Sequence, residues 1–119
     1  MAEQRAVEPV IRNVRERGRL EAYVGEDFAG VIVSFALDEE PHALVIVHTV
    51  VEPGHEGKGI AGALVRECYA IAAREGVPVL PLCPYAARWA ERHPDEAPPA
   101  PAGLVRAAER QLAATPGLW

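Results

Sequence analysis

A β-branched run ending at Val51 stops at Pro53; Gly57, Gly59 and Gly62 follow, and an Ala/Leu-rich helical pattern begins at once. No other stretch restricts the folding of this chain as much. The order predicts a strand, a glycine loop and a helix N-terminus. Small residues there let backbone N–H groups approach an anion, and the helix dipole adds roughly half a positive charge at that end. The loop is suited to phosphate. Apolar positions Ile60, Leu64, Cys68, Ile71 and Ala72 then recur at helical spacing, with Arg66, Glu67, Arg74 and Glu75 mainly outside. Gly76 supplies the stop and Pro78 prevents continuation. Val77 to Cys83 reads as a buried strand. A strand–helix–strand crossover places it parallel to the strand before the loop, with a right-handed connection.

Upstream, Leu20, Ala22 and Val24 alternate along Arg19 to Val24, and Gly25-Glu26-Asp27 turns into the apolar run Phe28 to Leu37. Asp38-Glu39-Glu40-Pro41 is the next turn, leading to His42 to Val51. Three consecutive strands therefore form an antiparallel β-meander. Val7, Val10, Ile11 and Val14 fit a helix and a strand equally well, so the first 18 residues stay unassigned. Pro84 suits the first position of another short helix, ending near Arg92. The order β-β-β-α-β-α predicts a compact α+β layer. Three prolines between Asp95 and Gly103 predict the end of the folded body. Residues 1–95 form the expected domain, and 96–119 a Pro-rich linker with a short C-terminal helix along Leu104, Ala108 and Leu112, hanging from the core as a tail.

Composition narrows the function. With 119 residues, 50% of them hydrophobic, the chain is expected to make one domain with a modest core. A net charge of −5 argues against nonspecific nucleic-acid binding, which needs a basic face. No apolar stretch approaches the ~20 residues of a membrane span. The charged N-terminus (Glu3, Arg5, Glu8) has no signal-peptide core, so a cytoplasmic location is expected. Cys68 and Cys83 lack C-x-x-C spacing and read as reduced thiols.

Two familiar phosphate loops fail on spacing. A P-loop requires Gly-Lys-Ser/Thr, whereas Lys58 is followed by Gly59. Gly57, Gly59 and Gly62 satisfy G-x-G-x-x-G, but the next strand ends in Leu82-Cys83-Pro84, without the carboxylate a dinucleotide site needs. A third pattern fits. Gly57-Lys58-Gly59-Ile60-Ala61, preceded by Val51-Glu52-Pro53, resembles the acetyl-CoA pyrophosphate loop of the GNAT superfamily of N-acetyltransferases. The usual form, Arg/Gln-x-x-Gly-x-Gly/Ala, falls on Glu56 to Ala61, with Glu56 departing at the first position. His48-Thr49 before the loop, Leu82-Cys83-Pro84-Tyr85 and Arg92-His93-Pro94 narrow the resemblance to small, single-domain GNAT-like enzymes over Arg19 to Asp95.

The resemblance implies a compact GNAT-like fold, acetyl-CoA as cofactor and an amine acceptor, small molecule or protein. It implies cofactor binding by Thr49, Val50, Val51, Glu56, Gly57, Lys58, Gly59, Ile60, Ala61, Gly62 and Tyr85. The backbone of Thr49 and Val51 would pair with pantetheine as an added strand.

Two residues are candidates for chemistry. Cys83 ends a strand before Pro84, at the N-cap of the next helix, where the dipole favours negative charge on a thiol. It reads either as a nucleophile near the acetyl group or as a packed strand-end cysteine. His48 precedes the loop and reads either as the base that takes a proton from an ammonium acceptor or as a hydrogen-bonded core histidine. His48, His55 and Cys83 lack metal-ligand spacing, so no metal is expected. Trp89 falls where many GNAT enzymes carry a tyrosine that protonates the leaving thiolate, and Tyr85, one turn earlier, reads either as its substitute or as an ordinary packed aromatic. The resemblance implies direct transfer in preference to an acetyl-cysteine. The rival function is a non-catalytic acyl-CoA-binding or regulatory module acting through a partner protein.

Overall fold

In the computed structural model, residues 8–40 and 42–114 are described. Five strands form one sheet in chain order: β1 (Val10–Val14), β2 (Arg19–Val24), β3 (Asp27–Ala36), β4 (Leu44–Val51) and β5 (Val79–Pro81). The first four are antiparallel, and β5 runs parallel to β4. Helix α1 (Ile60–Glu75) makes the crossover between β4 and β5; α2 (Pro84–Arg92) and α3 (Leu104–Ala114) follow. This is the expected α+β, GNAT-like arrangement, with one more strand.

That strand is β1. It sits at the sheet edge, half-exposed on both faces, so its apolar residues carry no clean alternation to mark it as a strand. Helix α1 is set by its ends: Gly59 and Gly76 both take the left-handed conformation, and the Gly76 N–H returns to the last turn. Its stripe of Ile60, Leu64, Val65, Cys68, Ile71 and Ala72 packs on Leu20, Ala22, Ile32 and Ile46. Gly30 on β3 lets this layer close up. A Cβ there would stand 2.8 Å from the Val50 carbonyl oxygen and 3.2 Å from Ile60 Cγ2.

The opposite face has its own smaller core. Leu104, Ala107 and Ala108 of α3 are buried against Phe35, Leu37, Ala43, Val45 and Leu80. Gln111 fixes the far end of α3: its Oε1 accepts from the Asp38 N–H (2.9 Å), and its Nε2 donates to the Ala36 carbonyl (3.0 Å). The segment expected to hang free after residue 95 therefore packs on one end of a sheet face through α3. The prolines that read as a linker, Pro98, Pro99 and Pro101, instead line a groove with Val79, Leu80 and Pro81 of β5. Trp119 and its neighbours from 115 onward lie outside the described residues.

Candidate active site

Strand β5 pairs with β4 only from Leu44↔Val79 to Ile46↔Pro81. It then ends, because the N–H groups of Leu82 and Cys83 both donate to the Ile46 carbonyl (3.0 and 3.1 Å) as the chain turns into α2. Strand β4 continues to Val51. A notch is left in the sheet, with β4 as one wall and the start of α2 as the other. The Val50 carbonyl approaches Gly30, and the Glu52 N–H donates to the Ala29 carbonyl (2.8 Å). Even-numbered residues of this stretch thus turn their backbone groups to β3. By alternation, Thr49 and Val51 turn theirs into the notch.

A β-bulge decides which side chains meet there. Ser34 pairs with Ile46 and Val33 with His48, so Val47 is an extra residue on β4. The bulge reverses the alternation. Thr49 pairs with Ile32, a core residue under α1, and so faces the α1 side. His48 pairs with Val33 and faces away from α1, in the exposed class. Cys83 is buried on the α1 side, and its Sγ donates to Thr49 Oγ1 at 3.4 Å. The two chemical candidates are therefore brought to one notch from opposite faces of the sheet, and the direct neighbour of Cys83 is Thr49.

Cys83 is the N-cap of α2, in an extended conformation and with no side-chain capping bond. Cys68 is different in kind: burial beneath α1 pushes its thiol up to about 12, which keeps it protonated and inert.

Beyond the notch, Val51, His55, Glu56, Gly57, Gly59, Ile60, Ala61, Gly62 and Tyr85 line a cavity of about 300 Å³. Gly57 and Gly59 both have φ near +79°, and no heavy atom lies within 4 Å of where a Cβ would be. The loop is open on its outer side. No side chain caps the N-terminus of α1, and its first turn holds no acidic residue. The first intrahelical bond is from the Ala63 N–H to the Gly59 carbonyl (3.1 Å), which leaves the N–H groups of Ile60, Ala61 and Gly62 without intrahelical acceptors. Uncapped donors at a positive helix end, beside an open glycine cradle, fit a pyrophosphate. Glu56 is exposed at the rim, and Lys58 Nζ lies 3.2 Å from His55 Nδ1.

Trp89 is a packing residue: buried, stacked on His93 (4.1 Å between centroids, 17°) and on Tyr69, with the Arg66 guanidinium 5.5 Å from its ring. Tyr85 is 40% exposed and borders the loop cavity. Among the described residues no group of three or more His, Cys, Asp or Glu could hold a metal ion, and no helix is long and apolar enough to cross a membrane.

Comparison with known proteins agrees with this architecture. A family model described as GCN5-related N-acetyl-transferase matches residues 19–98, and the chain belongs to that family. A search of curated proteins gave no match. Among solved structures, the crystal structure of a ribosomal-protein-alanine N-acetyltransferase from Brucella melitensis biovar Abortus 2308 matches with a TM-score of 0.51 at 24% identity. The match covers 69% of this chain and 64% of that one, so this chain spans less than two thirds of the length of the protein it matches. The likeness is one of fold.

Proposed function

We propose that this chain is a cytoplasmic, acetyl-CoA-dependent N-acetyltransferase acting on an amine. The observation that carries the reading is the junction of an uncapped glycine cradle with a sheet notch that has a different side chain on each face. Gly57, Gly59 and the N–H groups of Ile60 to Gly62 would hold the pyrophosphate, and the backbone of Thr49 and Val51 the pantetheine. Bound acetyl-CoA supplies an acetyl thioester. The acceptor comes from the other face, where His48 takes the proton from its ammonium form, whose ordinary pKa is near ~10.

Approach from opposite faces suits direct transfer. Cys83, buried and donating to Thr49, then lines the cofactor side without forming an acyl-enzyme. Tyr85, at the mouth of the loop cavity, is a cofactor contact.

Calorimetry with acetyl-CoA and with ATP, then thiol release over a panel of amines, tests the reading. Acetyl-CoA is expected to bind, ATP not to bind, and thiol release to require an amine. Binding without thiol release for any amine would favour the acyl-CoA-binding module instead. Gly59→Val in a folded protein should abolish binding, because φ is +79° there and a side chain would fill the cradle.

A further inference from the structure

A second cavity, of about 280 Å³, is lined by one face of α2, through Tyr85, Arg88, Trp89 and Arg92. It adjoins the glycine-loop cavity, because Tyr85 lines both. Arg88 and Arg92 are one helical turn apart, a spacing that puts their Cβ atoms about 5–6 Å from each other on one face. Among the described residues neither forms an ion pair. The only carboxylate on α2, Glu91, lines the apolar groove on the other side of the helix, with Pro98 and Val105. Arg66, which also approaches Trp89, is different: Glu96 takes its guanidinium at 2.6 Å and is held below the usual carboxylate range by it.

Two uncompensated guanidiniums on one face of a nine-residue helix repel each other until an anion sits between them. Their planar donor forks suit a phosphate monoester, which can accept from both. Coenzyme A carries such a group, the 3′-phosphate on the ribose of its ADP portion, one sugar away from the pyrophosphate. We propose that Arg88 and Arg92 clamp this 3′-phosphate, with Tyr85 forming the wall between the two phosphate sites. The clamp rests on the acetyl-CoA reading of the glycine loop. It places the ADP end of the cofactor along α2, and it makes the 3′-phosphate a recognition element rather than a solvent-exposed appendage.

Calorimetry with CoA and with dephospho-CoA, which lacks only that phosphate, tests the clamp on the full chain. The wild type is expected to bind CoA about tenfold more tightly than dephospho-CoA at low ionic strength, with the ratio falling as salt is added. Arg88→Gln with Arg92→Gln should bind both ligands equally, at the affinity the wild type has for dephospho-CoA, which also shows that the variant is folded. Arg88→Lys with Arg92→Lys keeps the charge and should keep part of the ratio. Equal binding of both ligands by the wild type would overturn the clamp alone, as would an unchanged ratio in the double Gln variant. If the wild type binds neither ligand, the acetyl-CoA reading falls and the clamp with it.

Discussion

The two faces of the sheet are built differently. On the α1 side, Leu20, Ala22, Ile32 and Ile46 lie under a helix whose Ile60, Leu64 and Val65 are almost fully buried, and the layer is closed from the glycine loop downward. On the other side α3 covers only the end around Phe35, Val45 and Leu80. Beyond it the surface is laid out in cross-strand rows, Val14–Arg19–Val33–His48 and Arg12–Glu21–Val31–Val50. Val50 there is 47% exposed. The closed face holds the loop and Cys83 in fixed positions. On the half-covered face His48 is in the exposed class. The proposed transferase activity would use both, one side preorganised for a cofactor and one side accessible to an acceptor.

The largest test of this contrast removes the partial cover. A chain ending at Asp95 loses α3 and exposes Phe35, Leu37, Val45 and Leu80 together. Such a contiguous apolar patch is expected to cause aggregation or loss of the cooperative fold. Size-exclusion chromatography and circular dichroism would show it, and a monomeric truncated chain with native melting behaviour would mean that α3 is an ornament.

Single core truncations should rank the faces. Leu64→Ala, at a fully buried site in the larger core, is expected to cost about 2–5 kcal/mol in urea denaturation. Leu104→Ala, 8% exposed in the smaller core, should cost clearly less because that edge can relax. Equal costs would mean that the faces are energetically alike.

Much of this contrast was legible in the sequence, and the missing parts have physical causes. Helix α2 was legible to the residue, since Pro84 fits N1 and Cys83 its cap. The end of α1 at Gly76 was legible for the same kind of reason. The role of α3 was hidden because two of its three buried residues are alanines, so its apolar stripe is faint, and Pro98, Pro99 and Pro101 before it resemble a linker. The bulge at Val47 left no mark at all. In an unbroken strand, His48 would share a face with Ile46 and meet Cys83, and Thr49 would point away. One inserted residue exchanged their places, and hydropathy along β4 does not record it.

That exchange gives the next test. His48→Ala should lower kcat/KM about a hundredfold at neutral pH, with partial recovery at high pH as the free amine becomes available. Cys83→Ala should cost less than tenfold, since the thiol only lines the cofactor side in direct transfer. The reverse ranking, with an acetyl adduct on Cys83 seen by mass spectrometry before amine is added, would replace direct transfer by an acyl-enzyme.

The smallest expected effect concerns how the face beyond α3 keeps its shape, with no helix among the described residues over it. Glu21, in the middle of that face, accepts from Arg19 Nε at 2.7 Å and from the Tyr23 hydroxyl at 2.8 Å, and Tyr23 packs edge-on against Phe28. The hydrogen bonds from Arg19 and Tyr23 hold the Glu21 carboxyl below its ordinary 4.5, while the Glu21 carboxylate raises the Tyr23 phenol above 10.0. A depressed carboxyl stabilises the fold above its unfolded value, and that contribution is lost as pH falls below about 4.5. A raised phenol works in the opposite sense: its contribution is complete below about 10 and is lost as pH rises past it. The bonded trio should therefore support this face between those limits and fail outside them. Glu21→Gln is expected to cost about 0.5–1 kcal/mol at pH 7, as for a surface ion pair, and to flatten the acid limb of the stability profile. Chemical denaturation of wild type and variant from pH 3 to 7 measures it, and parallel profiles over that range would show that the open face is held by its strands alone.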